Sequence, residues 1–222
     1  MILLKTDFPR PPGDIGNPAT FGGRGLFETV AAATLARVID GDPRDPALLA
    51  GFLAARDRLV AQGAQAITTS CGILAWHQAA MQSGCPVPVL TSALGQMPRR
   101  LARHGSVGVL AMDSRSVTPA LLAHVGAPPD TPVGGLERGQ ELYPVLRRNR
   151  AGDTLDPDRA TRDVIEAGRA LARQHPALGA LVLECANLPP YRAALAEALG
   201  LPVYDLLTWI AEETGLPPLT GP

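Results

Sequence analysis

The sequence contains little of what several large classes of protein require. Lys5 is the only lysine, which argues against a pyridoxal-phosphate enzyme, since that cofactor needs a lysine in its pocket. The net charge is −1 and the arginines are scattered, which argues against a nucleic-acid partner. No apolar run approaches the roughly 20 residues that cross a bilayer, and the first residues lack the features of a signal peptide. We therefore expect a cytoplasmic protein that binds neither nucleic acid nor a membrane.

Common catalytic motifs are also missing. The sequence has no Cys-x-x-Cys, His-x-x-x-His or Gly-x-Ser-x-Gly, which are signatures of thiol-redox, zinc and serine-hydrolase sites. The GGRG of residues 22–25 matches neither a P-loop nor a dinucleotide fingerprint. Cys71, Cys85 and Cys185 are an odd number of cysteines, which suits reduced thiols better than disulfides. We therefore expect no metal and no cofactor, with thiols available for chemistry.

Short apolar runs alternate with longer amphipathic stretches through most of the 222 residues. This pattern is typical of a parallel sheet covered by helices, so the predicted class is α/β. Strands are predicted at Ile2–Phe8, Ala66–Ser70, Val87–Leu90, Ser106–Met112 and Ala180–Glu184. Helices are predicted at Pro46–Gln62, Asp156–Gln174 and Tyr191–Leu199.

Two stretches around cysteines share one plan. AITTSCGILAWHQAAM contains Cys71 and ALVLECANLPPYRAAL contains Cys185, and the two align at an offset of 114 residues (185 minus 71). GCPV follows the first stretch and GLPV the second. Each copy reads as strand, cysteine, helix, Gly-x-Pro-Val, strand. The repeat predicts two pseudo-symmetric lobes, each a mainly parallel sheet flanked by helices: residues 1–100 plus 205–222, and residues 101–204.

The repeat places both cysteines where a strand ends and a helix begins. In parallel sheets this edge is where ligands bind, so we expect the active site in the cleft between the lobes. A helix N-terminus stabilises an anion, which predicts lowered thiol pKa values and a usable thiolate. Two such thiols can remove a proton from one face of a carbon and return one to the other face. The alternative for Cys71 and Cys185 is a structural role as buried side chains, which is the role we expect of Cys85.

Several segments together resemble the aspartate/glutamate racemase superfamily, which includes amino-acid racemases, hydantoin racemases, maleate isomerases and arylmalonate decarboxylases. They are PPGDIGNPATF, TTSCGILA, PVPVLTSAL, VGVLAMDS, LECANLPPY and LPVYD, and they cover most of the chain. The resemblance implies a cofactor-independent enzyme with one catalytic cysteine from each lobe. It also implies a small-molecule carboxylate or related substrate, and a homodimer.

Carried over residue by residue, the resemblance makes Cys71 and Cys185 the acid/base pair. The positions that resemble the substrate-holding loops of the family are Asn17, Ser70, Gly72, Ser92, Ser114, Ala186 and Asn187. Amino-acid racemases typically follow their cysteines with Asn-Thr and Thr-Glu, whereas this chain has Gly-Ile and Ala-Asn. Free aspartate or glutamate is therefore not the expected substrate.

The two thiols also guide the prediction of activity. Arylmalonate decarboxylases have only the cysteine of the second lobe, so two thiols favour a racemase or isomerase. The predicted reaction is at the carbon α to a carboxylate or carbonyl, in an amino acid, a hydantoin or a related acid. The alternatives are a decarboxylase, a maleate-type cis-trans isomerase, or a protein that binds a carboxylate without catalysis. Glu184 is expected to point away from Cys185 by strand alternation, and His77 to be a packing or surface residue.

Overall fold

The computed structural model describes residues 1–215. The strands within this range are β1 (Ile2–Lys5), β2 (Glu28–Thr34), β3 (Ile67–Thr68), β4 (Val89–Leu90), β5 (Val107–Ala111), β6 (Val133–Gly135), β7 (Ala180–Leu183) and β8 (Val203–Tyr204). The α-helices are α1 (Leu35–Val38), α2 (Pro46–Ala61), α3 (Gln78–Gln82), α4 (Met97–His104), α5 (Pro119–His124), α6 (Leu142–Arg148), α7 (Pro157–Gln174), α8 (Arg192–Leu199) and α9 (Leu206–Thr214).

All strand pairs in the described part of the chain are parallel. β1 pairs with β2, and β3 with β4, and a bridge between Ile2 and Thr69 connects β1 to the chain after β3. The other strands form one sheet in the order β6-β5-β7-β8. Helices flank these sheets, so the predicted α/β class is confirmed. The lobe boundaries stay a prediction, and residues 216–222 of the predicted first lobe lie outside the described range.

The central strands of the second sheet explain why it is buried. β5 (VGVLA) and β7 (ALVL) are continuous apolar runs, and every residue in both strands is buried. A strand covered by helices on both faces has no polar face, which is why alternation is absent from these runs. This burial holds the carboxyl ends of β5 and β7 in position beside the site.

The two longest helices begin where the sequence indicates. Asp45 and Asp156 are their N-caps, each accepts hydrogen bonds from backbone N–H groups of the first turn, and each is followed by a proline. The predicted strands are present but shorter than expected. β2 and β6 were not predicted, because ETVAAAT is rich in small residues and VGG lies in a stretch of Pro and Gly. No helix within residues 1–215 is long and apolar enough to cross a membrane.

Candidate active site

The two repeated cysteines lie at equivalent places in the fold. Cys71 follows β3 and is the N-cap residue of a 3-10 helix at Gly72–His77. Cys185 follows β7 by two residues and precedes a 3-10 turn at Pro189–Tyr191 that leads into α8. Both cysteines are free thiols. The chain therefore carries each thiol at the carboxyl end of a parallel strand, the edge where α/β proteins bind ligands.

One cavity brings both thiols together. Cys71 and Cys185 line it with Ser70, Gly72 and Asn187, so five of the nine predicted site residues meet there. The apolar part of the wall is formed by Leu4, Phe8, Leu35, Ile39, Ile73, Met112 and Leu146, and the charged part by Arg10, Asp113, Arg147 and Glu184. An apolar cavity with a few polar groups is typical of a small-molecule site.

The other four predicted residues do not line this cavity. Asn17 caps a short 3-10 helix by accepting from the Ala19 N–H, and the Ser92 hydroxyl caps another by accepting from the Leu94 N–H. The backbone N–H of Ser114 donates to the Glu137 carboxylate. The carbonyl of the buried Ala186 accepts from the Ile15 N–H at 3.3 Å. Their groups maintain local structure, as capping residues commonly do.

A chain of hydrogen bonds holds Cys185. Its Sγ lies 3.4 Å from Asn187 Oδ1 and donates to it, while Asn187 Nδ2 donates to Asp14 Oδ2 at 2.6 Å. Asp14 is 1% exposed and also accepts from Arg10 Nη1 at 2.7 Å. Arg10 in turn stacks over the Phe8 ring at 4.5 Å. Because each donor has a buried acceptor, the position of the Cys185 thiol is determined by a network that spans the first and last thirds of the chain.

The environment of the thiols disfavours the thiolate. Burial, followed by the charge of Glu184, raises the pKa of Cys71 to about 12. The same two causes raise the pKa of Cys185 well above its ordinary value. The backbone N–H groups of Ile73 and Leu74 act in the opposite direction on the pKa of Cys71, and that of Asn187 does so on the pKa of Cys185. The predicted lowering of the thiol pKa values is therefore wrong, because desolvation outweighs the N-terminal amides.

Glu184 is part of the cavity wall, contrary to the expectation from strand alternation. The ladder with β5 stops at the Glu184 N–H, so the alternation of side chains does not extend to Cys185. The Glu184 carboxyl packs against Gly72, where an added Cβ would overlap both its carboxylate and its carbonyl oxygen. Only a glycine after Cys71 leaves room for this acid. Burial raises the pKa of Glu184 to about 7.

The raised pKa of Glu184 predicts a pH-dependent stability. The carboxyl ionises near pH 4.5 in the unfolded chain and near pH 7 in the folded one, so the folded state retains its proton longer. Its contribution is fully present below about pH 4.5 and is lost as the pH rises through 7, by about 3 kcal/mol. Urea unfolding at pH 5 and pH 8 should show this loss in the wild type, and Glu184→Gln should lack it. Equal losses in the two proteins would contradict the prediction.

Other titratable residues serve structure. His77 is 5% exposed, and its Nε2 lies 2.7 Å from the Pro43 carbonyl oxygen, in agreement with a packing role. Cys85 is half-buried at the edge of the core. Within residues 1–215, no cluster of three or more His, Cys, Asp or Glu side chains could hold a metal ion.

Three residues of the site were missed or set aside by sequence reasoning. Sequence reasoning singled out neither Arg10 nor Asp14 as a site residue, and it directed Glu184 away from Cys185. The spacing of Arg10 and Asp14 is that of an i,i+4 ion pair, a weak signal in a Pro-rich loop. The acid in LEC next to a catalytic-type cysteine was the stronger signal, since charged residues are rarely buried without a reason.

Solved structures of known enzymes share the fold of this chain. Allantoin racemase from Klebsiella pneumoniae superimposes with a TM-score of 0.64 over 96% of this chain and 85% of its own, at 16% identity. Unliganded arylmalonate decarboxylase superimposes with a TM-score of 0.57 over 97% of this chain and 91% of its own, at 15% identity. The chain therefore shares the fold of these two enzymes, and the resemblance seen in the sequence is confirmed at the level of fold. No family model matches the chain.

Curated relatives at higher identity point to a particular reaction. Dimethylsulfoniopropionate lyase 5 of Emiliania huxleyi (strain CCMP1516) is 29% identical over 95% of this chain and 43% of its own length. Dimethylsulfoniopropionate lyase of Durusdinium sp. clade D is 26% identical over 93% of this chain and 70% of its own length. Dimethylsulfoniopropionate lyase 3 of Emiliania huxleyi is 26% identical over 94% of this chain and 56% of its own length. The chain thus spans between 43% and 70% of the length of these relatives.

These names correct the predicted activity. The prediction of a racemase or isomerase is wrong, because the relatives that match nearly the whole chain are named as lyases. The argument from two thiols failed because it assumed that each thiol transfers a proton to the reacting carbon. The relatives fit the alternatives better than a racemase, in particular the decarboxylase, because a decarboxylase is also a lyase.

Proposed function

We propose that this protein is a cofactor-independent lyase that cleaves the carbon–sulfur bond of a sulfonium-substituted propionate. The observation that carries the proposal is the cavity in which Cys71 and Cys185 meet, in a chain whose relatives are named dimethylsulfoniopropionate lyases. Such a substrate has a carboxylate at one end and a sulfonium, which is a good leaving group, at the other. Two carbons separate these groups: the one next to the carboxylate, which must lose a proton, and the one that carries sulfur.

The cavity offers partners for each part of this substrate. The guanidinium groups of Arg10 and Arg147 line it and are the donors best suited to a carboxylate. The Ser70 hydroxyl and the Asn187 amide are further polar groups of the wall. The aliphatic side chains of Leu35 and Ile39 suit the methyl groups on sulfur.

The reaction needs one base. We assign this role to Cys185, because its thiol is held through Asn187 in the network with Asp14. The Cys185 thiolate takes a proton from the carbon next to the carboxylate. The electron pair of that C–H bond forms the carbon–carbon double bond, and the pair of the C–S bond leaves with sulfur. The products are neutral dimethyl sulfide and acrylate, and the thiol later gives its proton to water.

Substrate charge helps to produce the thiolate. Burial and the charge of Glu184 raise the pKa of Cys185. A sulfonium cation within the same cavity acts in the opposite direction, since an opposite charge nearby favours the ionised form. The thiolate is therefore most populated when the correct substrate is present. Cys71 lines the cavity without a required proton transfer, because an elimination returns no proton to the carbon.

A direct assay tests the proposal. The purified protein is incubated with dimethylsulfoniopropionate, dimethyl sulfide is measured in the headspace, and acrylate is measured by NMR. Equal amounts of the two products, in proportion to enzyme, are expected. Release of carbon dioxide in place of dimethyl sulfide would indicate a decarboxylase, and racemisation of chiral acids without cleavage would also contradict a lyase.

The free cysteines also bear on the cellular compartment. Three free cysteines suit a compartment that keeps thiols reduced, in line with the predicted cytoplasm. The homodimer stays a prediction.

A further inference from the structure

The charges of the cavity are unevenly compensated. Arg10 pairs with Asp14 at 2.7 Å, Asp113 with Arg115 at 2.6 Å, and Arg147 with Asp40 at 2.8 Å. Glu184 is the fourth charged residue of the wall, and within residues 1–215 its carboxyl has neither an ion pair nor a hydrogen bond. Buried charges in proteins are normally paired, so an acid that has no partner among the described residues points to a ligand that enters the cavity.

The position of Glu184 prevents it from finding another partner. It is 5% exposed, and its backbone N–H donates to the Leu110 carbonyl at 2.9 Å, which continues the ladder with β5. Gly72 provides the space in which its carboxyl lies. Turning the carboxyl outward would leave that space unfilled, so the acid is held in the cavity between the two thiol-bearing segments.

We infer that Glu184 is the counter-ion for a positively charged onium group, and that it selects zwitterionic substrates over neutral ones of the same shape. This inference rests on the proposed function, since a sulfonium is such a group. An alkylated sulfonium has no hydrogen to donate, so a site recognises it by charge and by apolar contact. Glu184 supplies the charge, while Leu4, Ile39 and Ile73 of the same wall supply the contact.

A counter-ion role for Glu184 also explains how a thiolate can form beside a buried acid that raises the thiol pKa values. A lone acid beside two thiols opposes the formation of a thiolate. A bound cation neutralises that acid, which removes the second largest cause of the raised thiol pKa values. The same charge that binds the substrate therefore prepares the base.

Two unreactive ligands of equal shape isolate the effect of charge. 3-(Trimethylammonio)propanoate and 4,4-dimethylpentanoate have the same carboxylate and the same branched end, and they differ only in the cation. Their Kd values for the wild type at pH 8, measured by calorimetry, should favour the cationic ligand by at least about tenfold, given the energies of close charge pairs. Glu184→Gln should bind the two ligands nearly equally. Asp113→Asn, which removes the other acid of the wall, should keep the preference.

The outcomes separate this inference from the proposed function. Equal affinity of the wild type for both ligands, including no measurable binding of either, would overturn the inference, as would a preference retained in Glu184→Gln. If the wild type cleaves dimethylsulfoniopropionate but shows no charge preference, the lyase function is supported and the counter-ion role of Glu184 is wrong. If the charge preference depends on Glu184 but the protein has no lyase activity, the counter-ion role is supported and the lyase function is wrong. Circular dichroism of Glu184→Gln verifies that the variant is folded.

Discussion

Replacing Cys185 with serine is expected to reduce the rate of dimethyl sulfide release by about 10²–10⁴-fold, the usual contribution of a positioned base. A serine hydroxyl is of similar size and can still donate to Asn187 Oδ1, the acceptor of the thiol at 3.4 Å. Its ionisation is far less favourable than that of a thiol, so the variant keeps the shape of the site and loses the base. The measurement is kcat/KM with dimethylsulfoniopropionate at several pH values.

Cys71→Ser is the matched control for this prediction. Cys71 lines the same cavity, but its thiol has no hydrogen bond to the network of Asp14 and Asn187, and an elimination needs no second proton transfer. A smaller loss is expected, with kcat changed less than in Cys185→Ser. If Cys71→Ser loses as much activity as Cys185→Ser, or more, the assignment of the base is wrong.

Replacing Asp14 with alanine is expected to lower the free energy of unfolding by about 3–5 kcal/mol, as when one partner of a buried ion pair is removed. Asp14 is 1% exposed and accepts from Arg10 at 2.7 Å, from the Gly16 N–H at 2.7 Å and from Asn187 at 2.6 Å. The variant leaves three donors without their acceptor, two of them side chains that line the cavity. Urea unfolding measures the loss.

Asp7→Ala provides the matched control for Asp14. The Asp7 carboxylate pairs with Lys5 at 3.4 Å, and both side chains are about half exposed. Exposed pairs of this kind contribute about 0–1 kcal/mol, so this variant should be close to the wild type in stability. A loss below about 1 kcal/mol in Asp14→Ala would show that the network does not hold the site together. Loss of lyase activity is also expected in Asp14→Ala, because Asn187 then no longer has a fixed acceptor.

Local signals in the sequence were sufficient for much of the fold. The apolar runs of β5 and β7 and the Asp-Pro starts of α2 and α7 depend on burial and capping, which neighbouring residues determine. The sequence did not predict β2 and β6, because three alanines in β2 and two glycines in β6 weaken the strand signal. Their pairing with β1 and β5 is a property of the assembled sheets.

The repeat in the sequence also identified the two thiols, but the electrostatics of the site could not be deduced from it. A helix N-terminus predicts a lowered thiol pKa, and the amides that follow Cys71 do lower the pKa of its thiol. Burial decides the direction, however, and burial results from the packing of side chains that are distant in the sequence. The same packing presses Glu184 against Gly72 and leaves its carboxyl without a partner among residues 1–215.

The sequence by itself determined the class of the fold and the placement of Cys71 and Cys185 at the ends of parallel strands. Both signals, the periodicity and the repeat, can be read from the order of the residues alone. The tertiary structure decided which groups share the cavity. Arg10, Asp14 and Asn187 meet only when the loop after β1 packs on the turn after β7. The ionisation of thiols and acids depends on that packing, since solvent exclusion and the distances between charges are set by the whole fold.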